Sequence, residues 1–164
     1  MALNNPTNLF LYELASMYDA EKKSGQLLGD TAGQVQDGNL SQLLRGQEQE
    51  SQQKVSNLEA CFRAMGMQPQ AVPCASIDGM RSEFETFANQ QPSPDVWQMY
   101  TLGAALRLSH YGIASYRDLV DKAMLLGETE CAQMLQSNLV QKEESAGRLE
   151  RINHEVSQRV LTPI

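Results

Sequence analysis

Two glutamates and two lysines stand out, because they fall where a helical chain would bury them. Glu21 interrupts the series Phe10, Leu14, Met17, Ser24, Leu28 and Thr31, which with it alternates steps of four and three. A carboxylate in the middle of such a seam must be paired, protonated or bound to a metal. Between Leu40 and Met65 the apolar stripe is Leu40, Leu44, Val55, Leu58, Phe62 and Met65. At about 100° per residue, Gln47, Ser51 and Lys54 fall within about 40° of its centre, with Glu50 at its edge. Ser109 and His110 flank a third apolar line, Met99, Leu102, Leu106, Ile113, Val120 and Met124. Lys142 sits on the inward side of a fourth, Ala132, Leu135, Leu139, Ala146, Leu149 and Val156, with Glu143 on its shoulder. Each of these polar groups lies near the middle of its helical stretch. In a bundle they share one depth and form a polar layer inside an apolar stack.

Helices must carry that layer. The pattern predicts long helices over about 9–31, 40–65, 95–126 and 129–159. Pro6, Thr7 and Asn8 read as the lead-in and cap of the first, and Asp95 as the cap of the third. Asp37-Gly38-Asn39 reads as a turn, and Gly66 and Gly127 as helix stops. The segment 67–94 carries Pro69, Pro73, Pro92 and Pro94 around a short helical piece from about Ser76 to Ala88. Two antiparallel helix hairpins joined by a long crossover give one all-α domain over 1–164, a four-helix bundle with one long connection.

Composition excludes several functions. Thirteen Lys and Arg against twenty Asp and Glu leave a net charge of −7, so no basic face suits a nucleic acid. No run of about eighteen apolar residues spans a bilayer, and no basic stretch precedes a secretory core. Cys61, Cys74 and Cys131 contain no CxxC pair and read as reduced thiols of a cytoplasmic protein. With only His110 and His154 available, no zinc spacing fits. Neither a phosphate-binding glycine loop nor a GxSxG elbow is present.

Four short stretches carry a resemblance: Tyr18-Asp19-Ala20-Glu21-Lys22, Val55-Ser56-Asn57-Leu58-Glu59, Cys74-Ala75-Ser76-Ile77-Asp78-Gly79-Met80 and His110-Tyr111-Gly112-Ile113-Ala114-Ser115-Tyr116. In order and spacing they resemble the YciE/YciF family of bacterial ferritin-like proteins. The resemblance implies a ferritin-like four-helix bundle, a link to stress responses, dimeric assembly and a two-metal carboxylate centre. Glu21 and Glu50 match family glutamates. The other positions depart: Gln47 stands for a histidine, Lys54 for a glutamine, Ser109 and Gly112 for two glutamates, Lys142 for a glutamate and Ala146 for an aspartate.

Two chemistries follow from the resemblance and its departures. In one, Glu21, Glu50, His110 and Glu143 still hold two iron or manganese ions and support oxidase or ferroxidase chemistry. In the other, Lys54 and Lys142 repel divalent cations and instead neutralise Glu21 and Glu50 as an internal salt-bridge layer, with no cofactor. The second predicts a non-enzymatic homodimer with a structural or protein-binding role in stress. A helical adaptor using segment 67–94 as its contact surface is a further reading.

Overall fold

The computed structural model describes residues 2–162 and contains α1 (Pro6–Ala32), α2 (Gly38–Ala64), α3 (Ala75–Ala88), α4 (Pro94–Leu125) and α5 (Thr129–Leu161). Each expected helix is present, and the differences lie at the starts. Pro6 occupies the first helical turn of α1, where its missing N–H costs nothing, so the cap is Asn5 rather than Thr7 or Asn8. The Asn5 side chain accepts the backbone N–H of Asn8 at 2.8 Å. Pro94 opens α4 in the same way, which moves the cap to Ser93 and places Asp95 in the first turn, favourable to the helix dipole. Asp37 is a cap rather than part of a free turn; its carboxylate accepts from the Leu40 N–H at 2.8 Å and α2 begins at Gly38.

The stops at Gly66 and Gly127 are glycine caps with φ of 72° and 77°. After α2, Met67 N–H reaches Phe62 C=O and Gly66 N–H reaches Arg63 C=O, both at 2.9 Å. After α4, Glu128 N–H reaches Ala123 C=O at 2.9 Å and Gly127 N–H reaches Met124 C=O at 3.1 Å. These paired bonds satisfy helix-end carbonyls only if the residue after the helix is left-handed. Gly127→Ala is expected to cost about 1 kcal/mol. Gly147, inside α5, has open space where a Cβ would stand, so Gly147→Ala is expected to gain up to about 1 kcal/mol. Urea titrations of the two variants measure both signs.

α1 packs on α2 and α4 on α5; α2 lies against α5 and α1 against α4, while α3 touches both α1 and α4. Phe10, Leu14, Leu44, Leu58, Phe62, Leu102, Leu119, Leu135 and Leu149 fill the interior. The buried arc of α4 differs from the expected line. Leu106 is half-buried and Met124 exposed, whereas Leu108, Tyr116, Leu119 and Ala123 point inward. Three neighbours cover α4, so its apolar arc is broader than one seam. Within the crossover, Val72 N–H bonds Ala15 C=O at 3.1 Å, and Cys74 N–H bonds the Asp19 carboxylate at 2.7 Å. Ile77 and Phe84 are buried, and Lys23 bridges Asp19 and Asp78, each at 2.8 Å. Among the described residues no helix is long and apolar enough to cross a membrane.

Candidate functional site

The seam of α1 delivers Glu21 to the bundle's centre, where its side chain has no exposed surface. Three helices answer it. Ser51 of α2 donates to Oε1 at 2.9 Å, Tyr116 of α4 donates to Oε2 at 2.9 Å, and Lys142 of α5 donates to Oε1 at 3.0 Å. Burial pushes this carboxyl up, but the charges of Lys142 and Lys54 and the bonds from Lys142 and Tyr116 outweigh it. The group is held below its ordinary range and is a carboxylate. Burial, with the neighbouring Glu21 charge and hydrogen bond, raises the Tyr116 phenol well above its usual range, which keeps it a donor.

A second ring supports the first. Asn138 of α5 donates to the Tyr116 hydroxyl at 3.3 Å and to the Lys54 carbonyl at 3.2 Å. Its own carbonyl accepts from Asn57 at 2.7 Å. Gly112 makes the room: a Cβ there would fall 2.5 Å from Lys142 Cε, so the lysine stem lies across the bare backbone of α4. A void of about 10 Å³, room for about one water centre, remains between Gln47, Glu50, Ser51, Lys54, Ser109, Lys142 and Ser145. Gln47 Oε1 is buried there without a protein partner.

The expected pairing of two lysines with two glutamates changes in detail. Lys142 neutralises Glu21, but the half-buried Glu50 (24% exposed) takes its charge partner from Arg148 at 2.7 Å and a hydrogen bond from Ser145. Lys54 is buried, and among the described residues no carboxylate oxygen lies within 4.0 Å of its ammonium group. Burial first, then the Lys142 charge, lowers its pKa to about 8, against the pull of Glu21 and Glu50. Counting Lys54, Lys142 and Arg148 against Glu21 and Glu50, Lys54 is the surplus cation of the layer.

Gln47, Ser51, Ser109 and Ala146 are buried in this region as expected. His110 and Glu143 are not. The His110 side chain is 54% exposed and meets Glu150 at 3.2 Å; Glu143 is 41% exposed and pairs with Arg117 at 2.7 Å. Each follows a buried residue, Ser109 or Lys142, and the helical step of about 100° carries it to the surface. Tyr116, Asn138, Ser145 and Arg148 bond within the layer and are not among the residues singled out from the sequence. Asn138, Lys142, Ser145 and Leu149 repeat the four–three spacing of a seam, a signal present in the chain.

A two-metal carboxylate centre needs several hard anionic ligands facing one space. Here, among the described residues, Glu21 is the one fully buried carboxylate, its oxygens engaged by three donors with two ammonium groups nearby, while Glu50 borders the void and is paired with Arg148. The four candidate ligands Glu21, Glu50, His110 and Glu143 turn to four different partners. No group of three or more His, Cys, Asp or Glu that could hold a metal occurs among the described residues. The donor set does not fit a di-metal centre; a buried Glu/Lys salt bridge takes its place.

Comparison with known proteins agrees with this architecture. Residues 5–162 match the family described as "Domain of unknown function (DUF892)". Protein YciF of Escherichia coli K12 is 23% identical over 140 residues, 85% of this chain and 84% of that protein. The crystal structure of the E. coli stress protein YciF superposes with a TM-score of 0.90 at 20% identity, covering 96% of this chain and 99% of the other. YcfI of Rhodopseudomonas palustris gives 0.87 at 27% identity over 90% and 94% of the two chains. A Xanthomonas campestris protein gives 0.76 at 22% over 96% and 97%. With its all-α ferritin-like bundle and near end-to-end match, the chain belongs to the DUF892, or YciE/YciF, family of bacterial ferritin-like proteins.

Proposed function

We propose that this chain is a non-catalytic member of its family, a cytoplasmic homodimer with a structural or protein-binding role in the stress response. The observation that supports this reading is the state of Glu21: its carboxylate is bonded by Ser51, Tyr116 and Lys142 of its own chain. A ligand entering the layer would have to displace an ammonium group at 3.0 Å and two hydroxyls, with Lys54 beside them. Charge repulsion opposes a divalent cation there. What the bundle offers instead is a helical body whose central carboxylate is already neutralised by Lys142, with Lys54 as a further buried cation.

Elemental analysis of protein purified without chelator tests the reading. Far less than one equivalent of iron or manganese per chain is expected, and no oxygen consumption with ferrous iron. About two bound equivalents would overturn the metal-free reading and favour the oxidase or ferroxidase alternative, which turnover of ferrous iron would establish. The crossover 67–94 buries Ile77 and Phe84 in the core, so an adaptor role is tested with exposed positions such as Glu83 and Glu85 rather than by deleting the segment.

A further inference from the structure

The bundle brings together two cysteines that stand 70 residues apart. Cys61 lies in the last turn of α2 and Cys131 in the first turn of α5. The Cys131 thiol donates to Cys61 Sγ at 2.8 Å, and the Cys61 thiol donates to the Cys131 carbonyl at 3.4 Å. Both are buried free thiols. Cys74 is different: its sulfur meets the Tyr111 hydroxyl at 3.2 Å.

We propose that Cys61 and Cys131 form a redox-modification site, at which a small peroxide converts the two thiols into an intramolecular disulfide joining α2 to α5. With hydrogen peroxide, one sulfur attacks the O–O bond; a sulfenic acid forms and one water leaves. The second sulfur then displaces the sulfenic oxygen, which departs as a second water while the S–S bond forms. The two thiols lose two hydrogens and two electrons in all, and the peroxide gains them.

Placement favours this outcome over further oxidation. A sulfenic acid at either position meets its resolving thiol as soon as the turns close again. Both residues occupy terminal turns at one end of the bundle, where helices open more readily than at mid-length. The Cys131 contact, and then burial, push the Cys61 thiol up, so it is protonated in the closed bundle and reacts when these turns open. The bond would link the α1–α2 hairpin to the α4–α5 hairpin.

The test treats the full chain with hydrogen peroxide in native buffer, then alkylates it in denaturant. Expected are a mass loss of about 2 Da, alkylation at Cys74 alone, and a linked peptide pair containing Cys61 and Cys131. The thermal midpoint should rise by about 10 °C, reversed by dithiothreitol, because a long loop is closed in the unfolded chain. Cys74→Ser should keep all three signatures and Cys61→Ser lose them. Should Cys61→Ser not fold, the peptide map of the unmodified sequence decides. A cross-link that forms only in urea, sulfinic acid at either cysteine, or pairing through Cys74 would overturn the proposal.

Discussion

Replacing Lys142 with alanine should lower the unfolding free energy by about 3–5 kcal/mol, read from urea denaturation at pH 7. Among the described residues, the substitution removes the one charged group bonded to a carboxylate with no exposed surface. Ser51 and Tyr116 still donate to Glu21, but two neutral hydroxyls do not balance a buried charge. If the loss arises from the stranded charge, removing both charges should recover most of it. Glu21→Gln with Lys142→Met should therefore stand well above Lys142→Ala alone. The pH dependence carries the same sign. The native pKa of Glu21 lies below the ordinary 4.5, so its stabilisation is complete above that value and fades as the carboxylate protonates at lower pH. The gap between wild type and Lys142→Ala should narrow in acid. A Lys142→Ala protein within about 1 kcal/mol of wild type would refute the buried pair.

The other lysine should behave in the opposite way. Lys54→Met should leave stability unchanged or raise it, by up to about 3 kcal/mol at pH 7. Lys54 is buried, its pKa is lowered from 10.5 to about 8, and it is the cation left over when the two pairs are counted. Between pH 8 and 10.5 the unfolded chain binds a proton at this residue that the folded chain has released. Native stability therefore rises with pH across that window, and the full penalty is present below it. Cys61 and Tyr116, both raised, act in the reverse sense once the unfolded chain begins to ionise above their ordinary 9.0 and 10.0. The clearest interval is thus pH 7 to 9: wild-type stability should climb there, and Lys54→Met should be flat. A Lys54→Met protein several kcal/mol less stable than wild type would mean that the ammonium makes a stabilising contact.

The two variants separate what the sequence made legible from what it did not. Periodicity placed Glu21, Ser51, Lys54 and Lys142 inward, because a seam position depends only on the helical repeat. It could not say which lysine would reach which glutamate, since that depends on side-chain length and on the neighbouring helix. Arg148 reaches Glu50 with a guanidinium long enough to pair from a partly exposed position, which a search for inward residues passes over. Tyr116 lies off the apolar line Met99 to Met124, yet its ring is fully buried because α4 is covered on three sides. His110 and Glu143 failed for a simpler reason: one residue along a helix is more than a quarter turn, enough to pass from interior to solvent. The contact between Cys61 and Cys131 lies across two hairpins, and no local spacing encodes it.

The lysine stem over Gly112 also ties two positions together for anyone rebuilding the centre. A carboxylate at 112 requires the lysine side chain opposite to leave that slot, and with it the contact to Glu21. Nor does shortening residue 142 alone supply a ligand, because it only opens a hole beside a charge. The two positions are coupled, so redesign toward an ion-binding core changes them as a pair.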